Sequence, residues 1–307
     1  MCNQIIMKKY IFLLPAILIL SCKQQHKENA KTINVLEANN TVKKQTLDRF
    51  ENKDSLGQYS LVWSDEFYGS GIIDTTKWFH QTKLPPGGSW YGGLIQHYTD
   101  RTTNSYVNDG YLNLVAKKER LTDQGETKEY TSVRLNSKFA FTYGRVEVRA
   151  KLPKGTGTWP AIWMLSKNID EDGAYWDNQG FGTTKWPHCG EIDILEHWGK
   201  NQDYVQSAVH NTSSYGYNVG NLGGQKLLSA SDQFHTYILN WSREKLVFSV
   251  DDVVHYTYAP QIKNSETWPY DTEQYILMNI AIEPDIDPKF SESTMEIDFI
   301  RVFQSRN

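Results

Sequence analysis

Short runs of alternating apolar and polar residues, separated by turn signals, make up most of the chain after residue 58. Residues 145–152 place Val146, Val148 and Ala150 on one side and charged residues on the other, which is the period of two that a half-buried β-strand requires. Residues 275–282 are nearly all apolar, as in a strand that is buried on both faces. No long segment shows the 3.6-residue period of an amphipathic helix. The pattern therefore predicts an all-β protein.

Further strands are predicted wherever apolar residues alternate between turn signals. They cover residues 59–63, 112–116, 234–241, 245–250, 253–258 and 296–303. Many short strands joined by turns are typical of a β-sandwich or a barrel. Because no linker-like segment interrupts residues 58–307, we expect this region to form one domain.

One short segment combines three carboxylates with large apolar residues. Glu191, Asp193 and Glu196 follow the spacing E-x-D-x-x-E. Ile192 and Ile194 between them favour a strand. In a regular strand Glu196 would face away from the other two acids, so we predict a one-residue β-bulge between Asp193 and Glu196. Carboxylates that cannot all ionise freely carry out acid/base chemistry near neutral pH, although the spacing alone fits a solvated acidic face equally well.

The predicted bulge also sets the distance between the two glutamates. With the bulge, the Cα atoms of Glu191 and Glu196 lie about four strand steps apart, or roughly 13 Å. Side chains that lean toward each other would bring the two carboxyls near the separation of about 5–5.5 Å that a retaining glycosidase needs. Asp193 between them would hydrogen-bond to one of the glutamates.

The start of the chain is typical of an export signal, predicted at residues 1–22. Two lysines precede an apolar run at residues 11–20, which is too short for a comfortable membrane span. The run ends in the sequence ILSC, which resembles a bacterial lipobox, so Cys22 is the predicted site of lipid attachment. An ordinary secretory signal is the alternative. Residues 23–57 are rich in Lys, Gln, Asn and Glu, and we predict that they form a disordered tether.

These features lead us to expect an exported bacterial lipoprotein at the outer membrane or cell surface. A periplasmic or secreted protein is the alternative. The only predicted contact with a membrane is the lipid on Cys22. Cys189 is the single cysteine after residue 22, so no disulfide is expected within the domain.

Charge and aromatic content narrow the choice of partner. Residues 1–57 contain nine of the 32 Lys and Arg and five of the 36 Asp and Glu. The remaining 23 basic and 31 acidic residues give a net charge of −8, which disfavours nucleic acid and polyanionic substrates. The 10 Trp and 18 Tyr suit stacking on neutral sugars, although large β-proteins also bury many aromatic residues.

Five segments, in order, resemble the sequence blocks of glycoside hydrolase family 16. The acidic segment matches the catalytic signature of the laminarinase-like branch, which has one extra residue before the last Glu. Residues 61–67, 143–153, 157–165 and 295–303 match the other blocks. The resemblance covers residues 59–304 and implies a β-jelly-roll, in which two curved antiparallel sheets form a concave substrate cleft.

The resemblance also implies an activity, the endo-hydrolysis of β-1,3-glucan with retention of anomeric configuration. Carried over by motif, Glu191 is the nucleophile, Glu196 is the acid/base and Asp193 assists by hydrogen bonding. Catalysis is expected to need no cofactor, and the protein is expected to be a monomer. One alternative is the same scaffold acting on mixed-linkage β-1,3-1,4-glucan or a galactan. Another is a non-catalytic glycan-binding lipoprotein.

Several further residues are predicted to bind substrate. Trp159 and Trp163 are four residues apart, so on a strand they share one face where both would stack on sugars. Packing in the core is the alternative role for both residues. The resemblance places three more residues at the cleft, namely Arg134, His210 and Asn279. Trp90 lies on a Gly-rich loop that we expect to form a wall of the cleft and to bind substrate. A structural salt bridge is the alternative for Arg134, and a core or surface position is the alternative for His210. Asn279 lies on a buried strand and so needs a hydrogen-bond partner.

The resemblance further implies a structural calcium ion on the convex face, away from the chemistry. The matching positions are Glu66, Gly110 and Asp298. Calcium takes six to eight oxygen ligands, and several of them come from the backbone. No cluster of His and Cys in the sequence suggests zinc or iron.

Overall fold

The computed structural model describes residues 59–306, which form two facing β-sheets. The strands are β1 (Tyr59–Asp65), β2 (Trp78–His80), β3 (Gln96–Tyr98), β4 (Ser105–Asn108), β5 (Tyr111–Asp123), β6 (Glu126–Ser132), β7 (Arg134–Phe141), β8 (Gly144–Lys151), β9 (Thr158–Ser166), β10 (Glu191–Glu196), β11 (Tyr204–His210), β12 (Leu222–Lys226), β13 (His235–Trp241), β14 (Leu246–Val250), β15 (Val253–Tyr258), β16 (Gln274–Ile282) and β17 (Glu292–Ser305). Among the described residues, helical structure is limited to α1 (Tyr175–Asn178) and two 3-10 turns at Gly199–Asn201 and Gly216–Asn218. The predicted all-β jelly-roll is confirmed.

The predicted signal peptide at residues 1–22, with Cys22, lies outside the described residues. The predicted tether at residues 23–57 also lies outside them. Between residues 59 and 306, no helix has the length and apolar character needed to cross a bilayer.

The two sheets differ in size. The larger one has the strand order β15-β14-β13-β8-β17-β5-β6-β3, with β1 added to β17 and β4 added to β5. The smaller one has the order β12-β11-β10-β9-β16-β7-β2. Neighbouring strands are antiparallel except for β3, which runs parallel to β6. The acidic segment forms β10 of the smaller sheet, where it lies between β9 and β11.

The core lies between the sheets. Val146, Val148 and Ala150 are fully buried, as their alternation predicts. All nine residues of β16 are buried, because this strand lies between β7 and β9 and is covered on both faces. Ile192 and Ile194 of β10 belong to the same core cluster. Burial of these apolar side chains is the main force that holds the strand in place, and it turns the acidic side chains of β10 toward the opposite, concave face.

Candidate active site

The ladders on both sides of β10 contain the predicted bulge. Asp193 pairs with Ala208 of β11, and Glu196 pairs with Gln206. Two residues of β10 therefore face the single residue between Ala208 and Gln206. The register against β9 shifts at the same place, between Asp193 and Leu195. Such an extra residue returns the next side chain to the original face, so Glu196 lies on the same side of the strand as Glu191 and Asp193.

Gly190 directly precedes β10, at a point where the backbone is tightly packed against neighbouring residues. Its φ is +79°, and a Cβ atom there would lie 2.8 Å from Cγ of Pro269 and 2.9 Å from Cε1 of Tyr270. Only glycine tolerates both the positive φ and this approach without strain. The close contact fixes the backbone directly before Glu191.

Each glutamate accepts a hydrogen bond from an indole. Nε1 of Trp186 donates to Oε2 of Glu191 at 3.0 Å. Nε1 of Trp159 donates to Oε1 of Glu196 at 3.0 Å. Trp159 in turn stacks on Trp198, with ring centroids 5.4 Å apart and the planes inclined by 26°. The two carboxyl groups are therefore held in fixed orientations by neutral donors.

His210 of β11 completes the acidic cluster. Its Nε2 lies 3.1 Å from Oδ2 of Asp193 and 3.6 Å from Oε1 of Glu191. The backbone N–H of Gly216 donates to Nδ1 at 3.0 Å. Because Nδ1 accepts this bond, the proton of a neutral His210 must be on Nε2. Nε2 lies beside the carboxylates of Asp193 and Glu191, but Oδ2 of Asp193 has no hydrogen-bond partner in the described structure.

The same geometry decides whether the cluster suits a metal ion. Within residues 59–306, Glu191, Asp193 and His210 bring three possible ligand atoms within 4.8 Å of one another. A neutral histidine binds a metal through an unprotonated nitrogen while its other nitrogen carries the proton and donates it. Here the N–H of Gly216 faces Nδ1, so Nε2 keeps the proton and is a poor ligand. The cluster is thus arranged for proton chemistry.

The three acids have strongly raised pKa values. Burial raises the pKa of Glu191 and of Glu196 to about 8, and the neighbouring Asp193 is the second cause for both. Burial alone raises the pKa of Asp193 to about 8. His210 and the indole donors act in the opposite direction on both glutamates. At neutral pH the cluster therefore holds protons that isolated carboxyls would have lost, and it titrates as a coupled unit.

The predicted cleft residues beside the acids form a connected group. Nε1 of Trp163 donates to Oδ1 of Asn279 at 2.8 Å, which provides the partner that the buried Asn279 needs. Nη2 of Arg134 contacts both carboxylate oxygens of Glu171 at 2.9 and 3.0 Å. The guanidinium also lies 4.9 Å from the ring centroid of Trp163, in the range of a cation–π contact. The structure thus shows the salt bridge that was the alternative for Arg134, and its contact with substrate stays a prediction.

Trp90 packs against its aromatic and cationic neighbours. Only 2% of Trp90 is exposed, and its ring packs 4.7 Å from the ring of Tyr98 and 5.3 Å from the guanidinium carbon of Arg134. A buried ring offers no free face to a sugar. Direct contact between Trp90 and substrate stays a prediction, and in this structure the ring packs against Arg134. Trp159 and Trp163 are both partly exposed, as stacking would require.

Two residues of the site were not found from the sequence. Trp186 is 40% exposed and contacts Glu191, and Glu171 pairs with Arg134. Both belong to the long connection between β9 and β10, where no periodic pattern marks inward-facing residues. An aromatic residue five positions before the acidic segment was a usable signal for Trp186, but nothing in the local sequence distinguishes Glu171 from its acidic neighbours.

The three predicted calcium positions lie near one end of the larger sheet. Gly110 directly precedes β5, and the pairing of Ile297 with Leu112 brings Asp298 beside the start of that strand. Nε and Nη2 of Arg301 each donate to the carboxylate of Glu66 at 2.9 Å, so this carboxylate is paired with a guanidinium. Asp298 is paired with Arg149. Calcium binding stays a prediction.

Fold and site together define a glycoside hydrolase. Residues 96–301 match the glycosyl hydrolases family 16, and the chain belongs to this family. A β-glucanase from Rhodothermus marinus is 36% identical over 270 residues, which cover 83% of this chain and 88% of that protein.

Two solved structures of the family are also similar to this chain. A LamA variant from Z. galactanivorans, in complex with laminaritriose and laminaritetraose, is 43% identical with a TM-score of 0.72; the match covers 80% of this chain and 98% of that one. SCLam, described as a non-specific endo-β-1,3(4)-glucanase, is 33% identical with a TM-score of 0.71, over 81% of this chain and 92% of that one.

Proposed function

We propose that this protein is a retaining endo-β-1,3-glucanase that hydrolyses laminarin-type glucan. The observation that carries the proposal is the pair of glutamates on one face of β10, each held by an indole N–H, with Asp193 between them. Two carboxyls that face one cleft are what double displacement at an anomeric carbon requires. The similarity to the R. marinus β-glucanase and to the laminarin-oligosaccharide complex supports the choice of substrate.

In the first step, the carboxylate of Glu191 attacks the anomeric carbon and the bond to the leaving sugar breaks. Glu196 gives its proton to the leaving oxygen. The N–H of Trp186 donates to Glu191, and His210 lies 3.6 Å from its Oε1; both lower the pKa of Glu191 against the effect of burial. The mechanism requires that Glu191 is the carboxyl that ionises first when the coupled cluster loses a proton. Burial, and after it the charge of Asp193, raises the pKa of Glu196 to about 8, so the acid still carries its proton near neutral pH.

In the second step, water displaces Glu191 from the glycosyl-enzyme. Glu196, now ionised, takes a proton from that water, and the two inversions together retain the configuration. Asp193 and His210 act through the glutamates, because His210 lies within 3.6 Å of both Asp193 and Glu191. Trp159 and Trp163 provide the partly exposed aromatic surface beside the acids on which neighbouring sugar rings stack.

A panel of polysaccharides tests the proposal directly. We expect the wild-type protein to release reducing ends from laminarin, and NMR to show the β-anomer as the first product. Glu191→Ala supplied with azide should yield an α-glycosyl azide, whereas Glu196→Ala should yield the β-azide, because azide replaces a different group in each case. Glu266→Gln, at an exposed loop residue, is the control. An α-anomer as the first product, or full activity of Glu191→Ala, would contradict the mechanism.

A second candidate substrate is mixed-linkage β-1,3-1,4-glucan, which the similarity to SCLam favours. The same panel should include barley-type mixed-linkage glucan and agarose. The ratio of kcat/KM values on laminarin and on mixed-linkage glucan decides between the two glucans, and turnover of agarose alone would indicate a galactan. If the protein bound laminarin but cleaved none of these polymers, it would be a glycan-binding lipoprotein.

We also propose that the mature protein is anchored by a lipid on Cys22 at the outer membrane or cell surface. The basic and apolar run that ends in the sequence ILSC supports this proposal. Metabolic labelling with palmitate should mark the wild-type protein but not Cys22→Ser, which should leave the membrane fraction. A Cys22→Ser protein that remained membrane-bound would rule out the anchor.

Calcium and oligomeric state can be tested on the purified domain. If calcium binds near Asp298, chelation should lower the melting temperature while kcat at low temperature stays the same. An unchanged melting temperature would remove the calcium proposal. A monomer mass in solution scattering would support the expected oligomeric state.

A further inference from the structure

The bulge that gives β10 its catalytic geometry leaves one carbonyl without its usual ladder partner. Opposite the two residues Ile194 and Leu195, β11 supplies only Ser207, so the bulge contains one extra residue. In a bulge the extra residue is left unpaired, and a buried unpaired carbonyl is unfavourable. In this structure the hydroxyl of Ser207 donates to the carbonyl oxygen of Ile194 at 2.7 Å. Ser207 is fully buried, so no water competes for this bond.

The Ser207 hydroxyl is itself held by a residue of the other sheet. Nε2 of His255, on β15, lies 2.9 Å from Oγ of Ser207. A serine hydroxyl has one proton, and here that proton goes to Ile194. Oγ must therefore accept from His255, which places the imidazole proton on Nε2. Burial lowers the pKa of His255 to about 4, so the side chain is neutral and has one ring proton at working pH.

A glycine lets the two sheets come close enough for this contact. A Cβ atom on Gly223 of β12 would lie 2.8 Å from Cδ2 of Tyr256, the residue after His255. The Tyr256 ring packs directly on the glycine backbone. This approach brings β15 against the edge formed by β11 and β12, and His255 reaches Ser207.

We propose that Ser207 and His255 are positioning residues for the reaction, because they hold the bulge at Ile194 and so keep Glu196 on the face of Glu191. Hydrogen bonds connect His255 to Ser207 and Ser207 to the carbonyl of Ile194. The acid/base, Glu196, follows Ile194 by two residues. Neither Ser207 nor His255 touches substrate, since Ser207 and its neighbours Val205 and Val209 point into the core. The proposal rests on the proposed function, and it adds a requirement that the larger sheet supports the catalytic strand.

The test compares kcat and KM on laminarin for four variants. We expect Ser207→Ala and His255→Leu to lower kcat by about tenfold or more, with KM changed by less than about twofold, because a small displacement of a catalytic group affects the reaction more than binding. Ser207→Thr keeps the hydroxyl and His255→Gln keeps an N–H donor, so both should retain at least about half of the wild-type kcat. Ser249→Ala, a buried serine of β14, is the control for loss of a hydroxyl.

Each result is decisive. Wild-type protein that does not cleave laminarin would refute the proposed function. If the wild type is active and Ser207→Ala and His255→Leu lower only the melting temperature, the two residues are structural and the positioning proposal is wrong. If Ser207→Ala does not fold, the comparison of His255→Leu with His255→Gln decides, since equal kcat values for these two would overturn the proposal.

Discussion

Two sets of buried carboxylates show how the two sheets differ. In the larger sheet, Glu66 accepts two hydrogen bonds from Arg301, and Glu147 accepts one from Arg145 at 2.6 Å. Each of these acids faces a permanent positive charge. In the cleft of the smaller sheet, Glu191 and Glu196 instead accept hydrogen bonds from the neutral N–H groups of two indoles, and the His210 ring lies 3.1 Å from Asp193.

The difference separates structural acids from acids that exchange protons. An adjacent guanidinium compensates a buried carboxylate, whereas a neutral donor orients it and leaves its charge uncompensated. Arginine is present in the cleft, but Arg134 is paired with Glu171 and not with the acids of β10. Burial and mutual repulsion therefore raise the pKa values of Glu191 and Glu196, and the site can hold and release protons near neutral pH.

The largest expected effect is on catalysis. Glu191→Gln and Glu196→Gln should each lower kcat on laminarin by about 10³-fold or more, since each removes a group that forms or breaks a bond. Both variants should fold, because an amide keeps the shape and can still accept from the indole. Steady-state kinetics at pH 7 measures the loss. Activity within about tenfold of the wild type would assign the chemistry to other residues.

In the larger sheet, loss of an acid should lower stability and leave catalysis unchanged. Glu66→Gln leaves the buried guanidinium of Arg301 without its countercharge, so the free energy of unfolding should fall by about 3 kcal/mol. The kcat at a temperature well below the melting point should not change. Urea unfolding measures the change in the free energy of unfolding. The control is Glu129→Gln, in an exposed pair with Arg120, which should change this free energy by less than about 1 kcal/mol. Lost catalysis in the folded Glu66 variant would break the division between the two sets.

Asp193→Asn should separate charge from geometry inside the cleft. After burial, the Asp193 charge is the second cause that raises the pKa of both Glu191 and Glu196, so its removal should lower both values and move the alkaline limb of kcat/KM to lower pH. We expect kcat itself to fall by about 10- to 100-fold. A pH series of initial rates measures both changes. An unmoved alkaline limb would show that Asp193 does not control the proton of Glu196.

The smallest expected effect is a gain in stability. Since burial raises the folded-state pKa of Glu191 to about 8, an unfolded chain loses this proton at lower pH than the folded one. The fold is therefore destabilised progressively as pH rises from about 4.3 toward 8. Glu191→Gln removes this penalty and should stabilise the protein at pH 8 by about 1–2 kcal/mol, with no gain at pH 4. Urea unfolding at the two pH values gives the comparison, and equal stabilities at pH 8 would contradict the raised pKa.

Local pattern was sufficient to predict the centre of the fold and the centre of the site. The alternation of residues 145–152, the apolar run of β16 and the bulge between Asp193 and Glu196 all follow from side chains that must reach one face or the other. The predicted resemblance to family 16 was confirmed by the family match over residues 96–301.

Contacts that join distant parts of the chain could not be predicted in this way. Glu171 meets Arg134 and His255 meets Ser207 only after folding, and no local period links these positions. The burial of Trp90 could not be predicted from the sequence either, because a Gly-rich loop has no alternating pattern that would show which side chains face inward. Three-residue strands such as β2 and β3 form because larger neighbouring strands offer them an edge.

The pH dependence of kcat/KM for the wild-type enzyme on laminarin tests the central claim most directly, because it reports the ionisation of the free enzyme. If the acids of β10 hold their protons through burial and mutual repulsion, the alkaline limb of the kcat/KM profile should lie near pH 8, because the pKa of Glu196 is raised to about 8. A limb near pH 5, close to the ordinary glutamate value of about 4.3, would contradict the account, because Glu196 would then be ionised at neutral pH and could not protonate the leaving oxygen.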